Sequence, residues 1–269
     1  MIENLKIGAD PELFFIDKNK IPRSAIGLIG GTKDSPLYIS SKGHAVQEDN
    51  VMVEFNIPAS TTEKEFVDNI NYVLKYLKHN GNLLGYDLLI KASAVFDKSE
   101  LKSEKAKQFG CEPDFDVYSL SENLSCSPST IKNTRVCGGH IHIGYDNPDI
   151  ETSFNIIKMM DITLGLESLF LDKDTVRRNF YGNAGCFREK PYGIEYRTLS
   201  NFWIENDDLK KWAFNNANLA IQLINNNEHE ELINKYSHKV QLAINDSDKS
   251  LAGYLLNEIK EKINLKTIV

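Results

Sequence analysis

Cys137-Gly138-Gly139-His140-Ile141-His142-Ile143-Gly144 alternates histidine and isoleucine behind a pair of glycines. Alternate residues of a strand share a face, so His140 and His142 point the same way, roughly 6–7 Å apart along the chain. Ile141 and Ile143 then point to a core. The glycines remove side-chain bulk and let a ligand or another backbone approach. One reading is the wall of a reaction cup. A half-buried strand with two hydrogen-bonded histidines on its polar face fits the same residues.

Three other segments repeat the pattern with carboxylates. In Ile7-Gly8-Ala9-Asp10-Pro11-Glu12-Leu13-Phe14-Phe15-Ile16, a strand puts Asp10 and Glu12 on one face. Pro11 lacks a ladder N–H and marks an edge, a bulge or a strand start. In the second, Val51, Val53, Phe55 and Ile57 form an apolar face opposite Glu54 and Asn56. In the third, Ile194, Tyr196 and Thr198 lie opposite Glu195 and Arg197. A single charge on a strand usually faces water. Four such strands can converge on one concave surface, where carboxylate oxygens hold hard divalent cations.

The ordered set resembles a known family. Gly8-Ala9-Asp10-Pro11-Glu12-Leu13-Phe14-Phe15 resembles the first metal-binding strand of glutamine synthetase and the glutamate–cysteine ligases. Gly139-His140-Ile141-His142 resembles their histidine strand, and Glu195-Tyr196-Arg197 their late acid–x–arginine strand. The stretch from Arg177 to Trp203 is similar to the phage phiEco32-like type 2 branch of carboxylate–amine ligases. The resemblance covers residues 5 to 225.

It implies an ATP-dependent ligase that forms an amide through an acyl phosphate at a divalent-metal site. The implied cofactors are ATP and Mg2+, or Mn2+ because of the imidazole. Glu12 and Glu54 would serve one metal, and Asp10, His140 and Glu195 a second. Arg197, Arg188 and Glu54 are the catalytic candidates. Arg178, His142, Arg188 and Arg197 are the candidate contacts to the nucleotide. Arg177 and Arg178 are adjacent, so only one is expected to face the site, and Arg177 is read as an exposed ion-pair residue. Glu48, Asp49 and Asn50 precede Glu54 and are not ranked among the ligands. Gly27-Leu28-Ile29-Gly30-Gly31-Thr32-Lys33 lacks the spacing of a phosphate-binding P-loop, so a nucleotide is expected in the cup itself.

Two other functions fit these residues. One is a zinc- or manganese-dependent hydrolase in which His140 and His142 both ligate metal. The other is a ligase-like protein that binds without catalysis.

Charge and composition narrow the field. The chain has 269 residues with 31 basic and 38 acidic side chains, a net charge of −7. That balance disfavours nucleic acid or an anionic membrane as partner. No apolar run approaches the ~20 residues that span a bilayer, and no secretory pattern opens the chain. A cytoplasmic protein is expected, of a bacterium or a phage-infected host, acting on small-molecule or peptide carboxylates and amines. A neighbouring chain can complete glutamine synthetase-like sites, so a homo-oligomer is consistent with the resemblance. Cys111, Cys126, Cys137 and Cys186 form no C-x-x-C pair and read as free thiols.

Strands are expected over residues 5–17, 45–57, 88–96, 134–145 and 193–199. A helix starts at Thr61-Thr62-Glu63-Lys64-Glu65, carries Phe66, Ile70, Val73, Leu74 and Leu77, and stops at Asn80-Gly81. A second runs from Asp149 to Leu171. Residues 174–190 read as a loop, 110–116 as an acidic turn and 97–110 as a surface segment. Helices fill the chain beyond Leu209. The fold class is α+β: a curved, mostly antiparallel sheet forming a cup, with helices on its outer face. Residues 1–225 form the catalytic domain and 226–269 a helical extension of it.

Overall fold

The computed structural model describes residues 1–107, 114–123 and 132–268. Strands β1 (Lys6–Ala9), β2 (Glu12–Ile16), β3 (Pro22–Arg23), β4 (Leu37–Tyr38), β5 (Ala45–Asp49), β6 (Met52–Asn56) and β7 (Asp87–Leu89) come first. They are followed by β8 (Ser93–Val95), β9 (Phe115–Asp116), β10 (Ser121–Glu122), β11 (Thr134–Val136), β12 (Ile141–Gly144), β13 (Cys186–Lys190) and β14 (Gly193–Tyr196). One six-stranded sheet has the order β1-β12-β14-β13-β9-β10. A second runs β3-β2-β6-β5-β4, with β7 also on β2. Every strand pair described in the two sheets is antiparallel, as the α+β expectation requires.

The expected strand at 5–17 is broken at Asp10-Pro11, because proline offers no ladder N–H. The chain passes there from the first sheet to the second. On one side Asp10 N donates to His140 O (3.4 Å) and Glu12 N to Gly138 O (3.0 Å). On the other, Phe55 N donates to Pro11 O and Ile57 N to Ala9 O (both 3.2 Å). These bonds join the sheets into one curled wall.

Residues 45–57 are a hairpin rather than one strand. Asn50 turns the chain with φ 53°, a conformation asparagine tolerates better than most residues. Residues 88–96 likewise divide, into the ends of β7 and all of β8. The segment 174–190 is a loop only in part, since its end is β13, paired along β14. The correction matters because it places Arg188 on a strand.

The helix Glu63–Leu83 begins as its sequence requires, with the Thr62 side chain accepting from Glu65 N. It runs through Asn80-Gly81 instead of stopping there. Gly81 is a packing glycine: a Cβ would lie 3.0 Å from the Phe15 ring. The stop comes later, with Gly85 at φ 83°. The second helix is capped by Asp149 and comprises Ile150–Met160, a π-helical turn Asp161–Gly165 and Leu166–Leu171. Helices Asp207–Asn225, His229–Asn245 and Lys249–Ile259 follow. Ile141, Ile143, Ile194 and Tyr196 on the sheet's outer face share one apolar core with Ile157, Leu164, Trp212, Leu232 and Leu255. The opposite face is left to polar residues. No helix among the described residues is long and apolar enough to cross a membrane. Cys137 and Cys186 are buried free thiols; Cys111, Cys126 and the first part of the acidic turn lie outside the described residues.

The glycines before the histidines are sterically required. A Cβ on Gly138 would enter the His140 ring, and one on Gly139 would overlap the Ser200 carbonyl and sit 2.6 Å from Trp203 Nε1. Gly139 N donates to Leu199 O (3.0 Å), and Trp203 Nε1 donates back to Gly139 O (3.0 Å). Gly139→Ala should therefore destabilise the protein by about 1–3 kcal/mol, typical of forcing atoms into a packed interior. The urea midpoint measures this, and an unchanged midpoint would refute the packing account.

Candidate active site

Register sets the first wall of the cup. His142, Glu195 and Arg188 lie directly across from one another on β12, β14 and β13, with Gly8 on the far side of His142. Two residues along, Asp10, His140 and Arg197 emerge on the same face by strand alternation. The second wall follows the same rule. Glu12 stands opposite Glu54, and Glu54 opposite Gln47. Asp49 lies two residues from Gln47 and so shares that face. A cavity of about 390 Å³ lies between the walls. Its lining includes Asp10, Glu12, Asp49, Glu54, His140, His142, Arg188 and Arg197.

The carboxylates and histidines fall into two groups whose ligand atoms lie within 4.8 Å of one another: Asp10, His142 and Glu195, and Glu12, Asp49 and Glu54. Asp10 and Glu12 therefore serve different groups although one residue separates them. Of the two histidines, His142 supplies the ligand atom of the first group. His140 borders it, with Nδ1 3.3 Å from both Asp10 Oδ1 and Glu195 Oε1 and 3.4 Å from Arg197 Nη1. The Tyr192 hydroxyl lies 2.6 Å from His142 Nδ1, orienting the ring so that Nε2 stands 3.1 Å from Asp10 Oδ2. Metal-bound histidines are commonly held this way through their other nitrogen.

The two groups differ electrostatically. In the first, burial pushes the Asp10 carboxyl up, but His142 and His140 beside it hold it well below the usual range. Burial and Asp10 raise Glu195, yet Arg197, His140 and His142 prevail and bring it down to about 2. Glu195 also pairs with Arg197 Nη1 and, at 2.8 Å, with Lys190 Nζ. The second group lacks such compensation. Burial, then the Asp49 charge, pushes Glu12 up to about 8 despite the Gly138 N–H and the charges of Arg177 and Arg197. Burial raises Asp49, and burial with three acidic neighbours raises Glu54 well above its ordinary value. Three crowded acids with little counter-charge are what a hard divalent cation relieves. Asp10 Oδ1, buried and without a hydrogen bond of its own, offers a further open acceptor. The donor set fits magnesium or manganese.

The remaining candidates divide. Arg197 is 7% exposed and also meets Asp114 (Nε to Oδ2, 3.4 Å), so the described end of the acidic turn does touch the site. Arg188 reaches Glu195 Oε2 at 3.6 Å from its strand. Arg178 does not line the cavity; its Nη2 donates to Ser168 Oγ (2.8 Å) among the helices. Arg177 is not an exposed ion-pair residue. It is 4% exposed and clamps the carbonyls of Thr198 (3.0 Å) and Arg197 (3.2 Å) from behind.

Sequence reasoning missed four residues. Asp49 was legible through the hairpin signal of Asn50 between two alternating runs, which pairs 47 with 54. Lys190 and Tyr192 flank β14 and carry no pattern of their own. Lys33 reaches the cavity from a loop distant in sequence.

The profile of the phage phiEco32-like COOH.NH2 ligase-type 2 family matches residues 128–267, just over half of the chain. The chain belongs to this family. The match begins after Asp10 and the acid-bearing strands β2, β5 and β6, which lie earlier in the chain. No curated protein matches the sequence. A crystal structure of a bifunctional glutathione synthetase from Pasteurella multocida aligns over 96% of this chain and 49% of that one, with 8% identity and a TM-score of 0.40. The ligase-family chain thus spans about half the length of that synthetase.

The raised Glu12 carboxyl has a signed consequence. A carboxyl with a folded pKa near 8 binds its proton more tightly than when unfolded, so stability is lost as pH rises from about 4.5 to about 8. In EDTA the melting temperature should fall between pH 6 and 8.5, and Mn2+ should restore it at the higher pH. Glu12→Gln should shrink both effects. A mutant with the same pH loss and the same Mn2+ recovery would remove Glu12 from the metal site.

Proposed function

We propose that the chain is an ATP-dependent carboxylate–amine ligase working through an acyl phosphate. One observation carries the reading: two three-membered ligand groups lie side by side on one open cup, with Arg188, Lys190 and Arg197 at their edge. Family membership supports the bond type.

Joining a carboxylate to an amine in water is uphill. Transfer of the ATP γ-phosphoryl group to the carboxylate forms an acyl phosphate and ADP. The amine then attacks the acyl carbon, phosphate departs, and the nitrogen loses a proton. Glu12, Asp49 and Glu54, and Asp10, His142 and Glu195, would hold divalent cations, which would neutralise phosphate charge. Arg197 is held by Glu195 and Asp114, so its planar fork is oriented before phosphate arrives. Arg188 projects from the neighbouring strand and meets the same charge. Such fixed donors act most strongly where charge develops. Gln47 Nε2 donates to Glu54 Oε2 (2.9 Å) and holds that carboxylate toward the group.

The hydrolase alternative needs both histidines on one ion. His140 Nδ1 has the Arg197 guanidinium 3.4 Å away, and that fixed positive charge opposes a cation on the same ring, which disfavours it.

The direct test is phosphate release from ATP with magnesium and paired pools of acids and amines, followed by mass spectrometry of the product. No product in any pair, with nucleotide bound, would sink the ligase reading. Arg197→Lys keeps the charge but loses the fork. It should slow turnover on the order of 10²-fold while ATP affinity changes several-fold at most. Equal losses in affinity and turnover would make Arg197 a ground-state binding residue.

A further inference from the structure

The glycine-bearing loop before β4 lacks P-loop spacing, yet it is built to deliver a lysine to the cavity. Glu48 points away from the cup and gathers the loop: its Oε1 accepts from Gly27 N (2.7 Å) and Gly30 N (3.3 Å). Its Oε2 pairs with Lys105 Nζ at 2.7 Å. Gly31, at φ 76°, lies flat on the sheet, where a Cβ would sit 2.6 Å from both Leu37 N and Val46 O. No other residue allows that approach. Thr32 and Ser35 then close a tight turn through reciprocal backbone bonds of 3.0 and 3.1 Å. Lys33 sits at its tip and lines the cavity from the second wall, across from Arg188 and Lys190 of the first.

We propose that Lys33 is a nucleotide-phosphate contact, so that cations from two separate sheets hold the polyphosphate chain over the acidic groups. The inference rests on the ligase reading and names a contact that reading does not require. Its support is the fixed turn, the shared cavity and the opposed positive charges. Lys33 lines the same cavity as Asp49, so its charge opposes a cation held at the acidic group. Removing the lysine charge should therefore leave metal binding intact or tighter. Phosphate binding should weaken. The two effects have opposite signs, which separates a phosphate contact from a prop for the fold.

The test measures magnesium–adenylyl imidodiphosphate, ADP and AMP binding by calorimetry, and Mn2+ alone, for the full chain and for Lys33→Met, Lys33→Arg and Lys78→Met. Lys78 is an exposed lysine on the helix Glu63–Leu83 and controls for net charge. Lys33→Met should weaken the triphosphate analogue about tenfold, the scale of one charge-assisted hydrogen bond. The loss should be smaller for ADP and absent for AMP. Lys33→Arg should recover most of it, Lys78→Met should bind as the parent, and Mn2+ affinity should not fall. Parent-like triphosphate binding by Lys33→Met overturns the inference alone. So does an equal loss for AMP, or a matching loss of Mn2+ affinity. A parent chain that binds metal but no nucleotide overturns the ligase reading and this contact with it.

Discussion

The site depends on one crossing of the chain. Between Ala9 and Glu12 the backbone leaves the first sheet and enters the second, bonded on one edge to the Gly138–His140 segment and on the other to β6 and the residue after it. Proline at the crossing interrupts a ladder that would otherwise keep both acids on one sheet. Asp10 consequently joins His142 and Glu195, and Glu12 joins Asp49 and Glu54. Two groups that could each hold a cation are thus built from acids one residue apart. A regular strand through this segment would have kept Asp10 and Glu12 in a single sheet.

The two sites are unequal in a way that bears on mechanism. Burial raises both carboxyls, but histidines beside Asp10, and Arg197 and histidines beside Glu195, bring them below the usual range. Glu12, Asp49 and Glu54 face mainly one another, and their carboxyls are pushed up. The second group therefore has the greater need of a cation, and its need grows with pH. The first group is tied to arginine through Glu195, so changes there disturb Arg197 as well.

Rigidity comes from the layer behind the cup. Trp203 bonds the Gly139 carbonyl and stacks on Phe66 at 5.7 Å, anchoring the histidine segment to the helix Glu63–Leu83. Asn201 donates to Glu12 O (2.7 Å), and Arg177 holds the Arg197 and Thr198 carbonyls. Tyr196, between Glu195 and Arg197, turns outward and donates to the buried Asp161 (2.8 Å). His140, Glu195 and Arg197 are thus flanked by neighbours fixed in the core, which keeps this wall in place despite mutual repulsion.

The α+β class, the apolar outer face and the polar inner one follow from the chain's own pattern, because alternation has period two and can be counted. It also determined that Asp10, Glu12, Glu54, His140, His142, Glu195 and Arg197 belong to polar strand faces, and the cavity contains all but the buried Glu195, which lies against it through Lys190 and Arg188. Their grouping comes from register and chain crossing, which no single strand reveals. His142 stands with Asp10 and Glu195 in one candidate group because cross-strand register, invisible in one strand, aligns it with Glu195. Asp49 enters because a turn at Asn50 folds two short strands where one long strand also fits the pattern. Arg177 turns inward as a backbone clamp and Arg178 toward Ser168 because burial of an arginine depends on which carbonyls and hydroxyls surround it. Lys33 joins from a loop whose only local marks are glycines; what brings it in is Glu48, a residue on the reverse face of the sheet. Periodicity names the face of a residue, while register, turns and side-chain clamps choose its partners.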